Sequence, residues 1–228
     1  RDLAIDFAGL KAQIPSALAS KVVPDPVRQR ILQEYDLQGV VTGLESVYQD
    51  AVVETLRREM PVIMYHRFIE HESEKGVHGT WLPVAMFEKH LKLMKWLGYE
   101  TLTFADLAEN GFIHRLKYGK KYLMITVDDG YRDNLTRMLP LLEKYGYKAV
   151  VYVVTGEDHN RWDVEHPTHP DTPVTLMTPE EIKALVASGH VEIGGHTLTH
   201  PRLSTLPPEE QAHQIQANKA WLEQLLGH

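Results

Sequence analysis

Short apolar runs alternate with helix-like segments along most of this chain, and that alternation limits the folds it can adopt. Five runs have the character of buried strands, and they span residues 61–65, 99–103, 122–127, 148–154 and 191–194. Parallel strands need long crossover connections, and helices supply them, so this pattern predicts an α/β fold with a parallel sheet or barrel. In such folds the functional side chains follow the strands, at their carboxyl ends.

Capping and stop signals mark the helices between the strands. Thr178 to Glu181 spells a capping box with proline at the first helical position, which predicts a helix reaching about Ser188. Another helix is expected from Tyr131 to Tyr145, delayed or kinked at Pro140. The polar stretch 155–174 and the segment around His71 and His78 are expected to be loops.

Residues 1–59 differ from the rest because they carry no chemical motif. Helical patterns begin near Pro26 and again between Glu45 and Arg58. We expect this part to be an N-terminal helical extension packing on a main domain of residues 60–228. A pair of helices that binds a partner is the alternative.

Composition narrows the possible partners and ligands. Lys and Arg number 24 against 31 Asp and Glu, a net charge of −7, so no basic stripe is available for nucleic acid. The longest apolar run, Ala149 to Val154, is too short to cross a bilayer. Cysteine is absent, which suits an exported protein and leaves a metal only the 13 histidines and the carboxylates as ligands.

Two carboxylates, Asp128 and Asp129, directly follow the strand that ends at Val127. Adjacent acids at the end of a buried strand are costly unless a positive group holds them. Neighbouring side chains point to opposite sides of a strand, so the two need not share one task. A helix N-cap is the structural alternative for this Asp-Asp-Gly sequence.

Two histidines, His196 and His200, follow the strand that ends near Gly195. Four residues apart, they can converge on one cation if the segment is helical or tightly turned, although they could equally be solvated loop histidines. One carboxylate and two imidazoles make a three-ligand set that leaves open positions for water. The other carboxylate is then free to act as a base.

Several segments resemble one known family. The sequence from Thr126 to Gly130 resembles the T-F-D-D-G motif of the polysaccharide deacetylases (NodB homology, carbohydrate esterase family 4), and His196 to His200 resembles their H-[S/T]-x-x-H motif. Three more segments resemble the poly-N-acetylglucosamine deacetylase subgroup, namely 61–66, 160–163 and 192–196. The resemblance extends over about residues 60–226.

The resemblance implies a seven-stranded (β/α) barrel, of which about five strands are present here. It implies that Asp128 is the general base, and that a divalent metal, zinc being expected, is bound by Asp129, His196 and His200. Three further residues are candidates to orient a ligand or to contact substrate, namely His66, Tyr131 and Trp162. The implied substrate is an N-acetylated polysaccharide or oligosaccharide, and its usual location implies a periplasmic, secreted or cell-envelope protein.

The chain also departs from the family pattern. Val127 replaces Phe and Gly195 replaces Ser, and both changes are expected to be mild. The later R-x-x-x-P-Y and L-x-H motifs do not follow, so the domain is expected to be C-terminally incomplete and to lack the histidine that serves as general acid. Two alternatives therefore stay open: an amide or imide hydrolase for a small or lipid-linked substrate, and a non-catalytic domain that binds metal or glycan.

Overall fold

The computed structural model describes residues 42–47, 50, 60–76, 78–109, 120–164 and 174–227. Contacts divide the chain into two units, one formed by residues 1–59 and 111–119 and the other by 60–110 and 120–228. In the first unit residues 42–47 and 50 are helical. The helix expected near Pro26, and most of the one expected between Glu45 and Arg58, lie outside the described residues.

The second unit contains seven strands and six α-helices among its described residues. The strands are β1 (Val62–Tyr65), β2 (Arg67–Ile69), β3 (Trp81–Pro83), β4 (Tyr99–Thr101), β5 (Lys121–Val127), β6 (Ala149–Val153) and β7 (Val191–Gly195). The α-helices are α1 (Val84–Trp96), α2 (Phe104–Ala108), α3 (Leu139–Tyr145), α4 (Arg161–Val164), α5 (Pro179–Ala187) and α6 (Pro208–Leu226).

All five strands expected from the apolar runs lie in one parallel sheet. Its order is β1-β5-β6-β7, and β4 pairs with the first residues of β5. The β1–β5 ladder continues past both strands, because the Asp128 amide donates to the Tyr65 carbonyl at 2.9 Å. The predicted α/β fold with a parallel sheet is thus confirmed, although the described strands do not close into a barrel.

One face of this sheet carries the core. Ile125 and Val127 of β5 and Val151 of β6 are fully buried there, packed with Phe87 of α1 and Leu142 of α3. Burying a side chain of this size stabilises the fold by about 1.5–3 kcal/mol. Strand β5, which lies inside the sheet, therefore contributes much to the stability of the fold. On the other face, Val62 and Met64 of β1 are 57% and 61% exposed.

Two local features differ from the sequence-based expectation, and the irregularity expected at Pro140 takes a specific form. The segment around His71 and His78 contains a second, two-stranded parallel sheet of β2 and β3, whose strands of three residues are too short to show a periodicity. The helix expected from Tyr131 is irregular before Pro140, as a π-helical turn at Asn134–Met138. Proline lacks an N–H and its ring crowds the preceding turn, which favours the wider turn. The loop expected at 155–174 contains α4.

Glu74 ties this small sheet to the helical turn at Asn134–Met138. Its carboxylate accepts a 2.6 Å hydrogen bond from Arg137 and further bonds from the amides of Glu70 and His71. The Arg137 hydrogen bond is the main cause that lowers the pKa of Glu74 from 4.5 to about 2.

We expect Glu74→Gln to destabilise the chain by about 1–2 kcal/mol at pH 7. Because the pKa of Glu74 is lower in the folded chain than in the unfolded chain, its contribution is present above about pH 4.5 and is lost as the pH falls towards about 2. The free energy of unfolding, measured with urea, should therefore decrease less between pH 5 and pH 3 for Glu74→Gln than for the parent. Glu72→Gln, in the same turn, is the control, and parallel curves for Glu74→Gln and parent would contradict the assignment.

Candidate metal and catalytic site

The two aspartates occupy the turn after β5, where the backbone leaves the sheet. Asp129 and Gly130 both have left-handed φ angles, 76° and 79°. Aspartate tolerates this region better than most residues, and at Gly130 a Cβ would lie 2.8 Å from a side-chain carbon of Val153, so glycine is required. The tight turn lets Asp128 and Asp129 point to different surroundings.

Asp129 lies between the two histidines predicted to be its partners. Its Oδ1 is 3.3 Å from Nε2 of His196 and 3.6 Å from Nε2 of His200. His200 and the intervening Thr197 also have left-handed φ angles, 51° and 68°, which brings the two imidazoles to 4.7 Å between ring centroids. Non-glycine residues in this region store strain of about 1–3 kcal/mol each, and they often occur at functional sites.

The three side chains fit a divalent cation. Their donor atoms all lie within 4.8 Å of one another. Two tetrahedral ligands that are each about 2.0–2.1 Å from zinc are about 3.4 Å apart, close to both Asp129–His distances. Asp129 is only 3% exposed, yet its Oδ1 accepts no hydrogen bond from the described residues. A buried carboxylate oxygen without a donor is costly, and a cation would satisfy it.

The charges around Asp129 favour its ionised form. Burial by itself would raise the pKa of Asp129, but the imidazoles of His196 and His200 outweigh it and hold that pKa below its ordinary value. Burial likewise opposes the charged form of His196, yet the neighbouring aspartates raise its pKa. Asp129 is therefore anionic at neutral pH.

Asp128 faces a different partner, His66. The pairing of Met64 with Thr126 in the β1–β5 ladder, continued by two residues, sets His66 opposite Asp128 on the face away from the helices. His66 Nε2 is 3.9 Å from Asp128 Oδ2, and both side chains keep some solvent exposure. Burial is the main cause that raises the pKa of Asp128, and the charge of Asp129 adds to it. A raised pKa suits a carboxylate that must take up a proton.

Hydrogen bonds around α4 hold His200 in place. Its Nδ1 is 2.9 Å from Oδ1 of Asn160, and its backbone carbonyl accepts a 2.8 Å hydrogen bond from Nε1 of Trp162. Nδ2 of Asn160 donates to the hydroxyl of Tyr131 at 3.0 Å, and that hydroxyl donates to Asp163 at 2.9 Å. Burial and the nearby aspartates raise the pKa of Tyr131, so its hydroxyl keeps its proton.

Further contacts fix the backbone next to His66. The Asn134 side chain, fully buried in the π-helical turn, donates a 2.8 Å hydrogen bond to the His66 carbonyl. The neighbouring Asp133 accepts the amide hydrogen of Phe68 at 3.0 Å. The irregular turn before Pro140 therefore holds the end of β1 against the end of β5.

Asn218 of α6 crosses the end of β7. Its Nδ2 lies within 3.0 Å of Val153 O and Thr155 Oγ1 and 2.6 Å from Thr197 O. A Cβ on Gly195 would overlap its Oδ1, so a serine here would displace the hydrogen-bonded Asn218 side chain and is not the mild exchange expected from the sequence. The same end of the sheet borders a cavity of about 720 Å³ between β7 and α6, lined in part by His196 and His200.

Every site residue named from the sequence lies in this region, in two groups. Asp129, His196 and His200 converge on one point, whereas Asp128 and His66 face each other beside it. Trp162 donates to the His200 carbonyl and Tyr131 reaches His200 through Asn160, so both support His200 without adding a donor atom to the group of three. Sequence reasoning missed the side-chain contributions of Asn134, Asn160, Asp163 and Asn218. Asn160 and Asp163 carried a usable signal, because both lie in the segment 160–163 that resembles the deacetylase subgroup.

Comparisons with known proteins point to one family and one fold. A family model described as polysaccharide deacetylase matches residues 115–228. YxkH of Bacillus subtilis (strain 168), which is named for that family, is 30% identical over 161 residues, or 71% of this chain. This chain spans 50% of the length of YxkH.

Solved structures share the fold. The polysaccharide deacetylase BC0361 from Bacillus cereus is 26% identical with a TM-score of 0.58, over 75% of this chain and 48% of that protein. The Streptococcus pyogenes deacetylase PplD, solved in complex with acetate, also has a TM-score of 0.58, over 75% of this chain and 70% of its own. PplD is 23% identical, so it supports the fold alone.

We expect Gly195→Ser to destabilise the chain by about 1–3 kcal/mol, because the new side chain overlaps Asn218. Combining it with Asn218→Ala should cost less than the sum of the two single substitutions, since the overlap is then removed. Urea unfolding of all four proteins measures this coupling. Gly79→Ser, where a Cβ meets nothing within 4 Å, is the matched control. Strict additivity would contradict the proposed overlap.

Proposed function

This chain belongs to the polysaccharide deacetylase family, and we propose that it hydrolyses N-acetyl groups of an N-acetylated sugar polymer in a metal-dependent reaction. The single observation behind this is the division between the two adjacent aspartates. Asp129 sits in the two-histidine group with an oxygen that lacks a donor, while Asp128 stands outside it and faces His66. Amide hydrolysis needs both parts, a cation site and an acid–base pair.

Asp129, His196 and His200 are the residues that would hold the cation. Two imidazole nitrogens and one carboxylate oxygen form a donor set that suits zinc and leaves positions open. When bound, a divalent cation supplies Lewis acidity, which acidifies water and polarises an amide carbonyl. No other group of three such side chains is found among the described residues.

In this reaction Asp128 is the base. Its carboxylate takes one proton from a water molecule, whose oxygen attacks the acetamide carbon. The raised pKa of Asp128 brings its proton affinity closer to that of the groups it serves at neutral pH. Asp129 cannot share this task while its oxygen is committed to the cation site.

His66 completes the proton balance. The C–N bond of the tetrahedral adduct breaks only if the departing amine gains a proton, and His66 is the imidazole that faces Asp128. The sequence-based expectation that a general acid is lacking rested on the absence of a late L-x-H motif. We propose instead that a histidine from the first strand takes this part. The proton that Asp128 took from water then passes to His66, which restores both groups, and the products are acetate and the protonated amino sugar.

The substrate class follows from the family and from the cavity of about 720 Å³ that His196 and His200 border. We propose a poly-N-acetylglucosamine-like or peptidoglycan-like polymer, and a location outside the cytoplasm, where such polymers lie. Among the described helices, none combines the length and the apolar character needed to span a bilayer. An amide hydrolase for small substrates and a non-catalytic glycan-binding domain are the outcomes that the first experiment separates from this proposal.

Acetate release from N-acetylglucosamine oligomers tests the function directly. We expect removal of metal by a chelator to lower the rate by about 100-fold or more, and zinc to restore it, because the cation provides several kcal/mol of stabilisation. The rate should rise with oligomer length. A rate that is independent of length would favour the small-molecule hydrolase, and metal and glycan binding without acetate release would favour the binding domain.

Two substitutions separate the base from the acid. Asp128→Asn should lower acetate release by about 10²–10⁴-fold with unchanged zinc affinity, both from acetamido sugars and from 4-nitrophenyl acetate. His66→Ala should lose a similar factor on acetamido sugars but much less on the ester, whose leaving group needs no proton.

His213→Ala, which alters an exposed histidine of α6, is the control for loss of an imidazole. Equal losses by His66→Ala on both substrates would contradict the role as acid. Full activity of zinc-loaded Asp128→Asn would contradict the role as base.

A further inference from the structure

A run of three hydrogen bonds leads away from His200 into the protein interior. It passes from Nδ1 of His200 to Asn160, from Asn160 to Tyr131, and from Tyr131 to the carboxylate of Asp163. The last three side chains are at most 7% exposed, and the guanidinium of Arg67 lies 5.5 Å from the centre of the Tyr131 ring. A buried run of polar groups stabilises a fold only if every donor and acceptor in it has a hydrogen-bond partner.

The direction of these bonds is determined by the atoms that cannot change roles. The Trp162 backbone N–H donates to Oδ1 of Asn160 at 3.2 Å, which identifies that atom as the oxygen of the amide. Asn160 Oδ1 only accepts, so Nδ1 of His200 must carry the hydrogen. Nδ2 of Asn160 only donates, so the Tyr131 hydroxyl accepts that hydrogen bond and gives its own hydrogen to Asp163. Each bond is therefore donated towards Asp163.

We propose that Asn160, Tyr131 and Asp163 are positioning residues that hold His200 with its hydrogen on Nδ1 and its free Nε2 directed at the cation site. A carboxylate bonded directly to a ligating histidine is a frequent arrangement at metal sites, because it selects the tautomer and makes the ring a better donor. Here the carboxylate lies three hydrogen bonds away, and an amide and a phenol transmit its effect. This inference rests on the metal site of the proposed function.

The two histidines of the site differ in the hydrogen bonds that hold them. The described hydrogen bonds give His200 a partner for its outer nitrogen and a second anchor at its carbonyl, from Trp162. For His196 they give only the backbone bond from its amide to Val153 O. The run from Asp163 therefore acts on one ligand of the pair, so its loss should weaken the site without abolishing it.

Zinc affinity, measured by competition with a chromophoric chelator, tests the proposal without any turnover. We expect a loss of about 10–100-fold in each of three variants, Asn160→Leu, Tyr131→Phe and Asp163→Asn. Asn160→Asp loses the donor to the Tyr131 hydroxyl but places a carboxylate directly on Nδ1 of His200, so it should keep at least the parental affinity. Tyr147→Phe is the matched control, since that buried hydroxyl donates to the carbonyl of Tyr99, outside the site.

Thermal unfolding of the metal-free proteins identifies variants that fail to fold. Asp163→Asn keeps the shape of the side chain, so this variant is expected to fold and to keep the test informative. Parental zinc affinity in folded Asn160→Leu and Tyr131→Phe would overturn the proposal. So would an Asn160→Asp variant as weak as Asn160→Leu, because the effect would then be structural. A parent chain that binds zinc but releases no acetate would overturn the proposed function and leave this inference standing.

Discussion

The arrangement of this protein depends on one buried carboxylate, that of Asp129. Its Oδ1 is inaccessible to solvent, accepts no hydrogen bond from the described residues, and lies within 3.6 Å of two imidazole nitrogens. Burial of an ion is unfavourable unless opposite charge compensates it. The left-handed turn, the glycine after it and the crossing Asn218 are all needed to bring these three side chains together.

Much of this could be predicted from the sequence, because the signals are local. Apolar runs identified all five strands of the main sheet, and the rule that polar residues follow parallel strands directed attention to Asp128, Asp129, His196 and His200. The structure brings the last three to one point. The capping box at Thr178 likewise predicted the residue at which α5 begins.

The features that could not be predicted depend on contacts between distant segments. His66 faces Asp128 because Met64 pairs with Thr126, and no local pattern reveals the register between strands so far apart in the chain. Asn160 reaches His200 only through the path of a polar loop whose composition looks unremarkable. From the sequence, Gly195 is a mild replacement for serine, but Asn218 of the last helix occupies the space that a Cβ at position 195 would take.

The left-handed backbone at Asp129, Thr197 and His200 links occupancy of the site to the folding equilibrium. A cation that binds the folded chain alone stabilises it by mass action, by about 4 kcal/mol when its free concentration is a thousand times the dissociation constant. Part of that gain would offset the conformational strain of these left-handed residues. With a cation bound at the proposed site, the melting temperature would rise with the free metal concentration, and a chelating buffer would lower it.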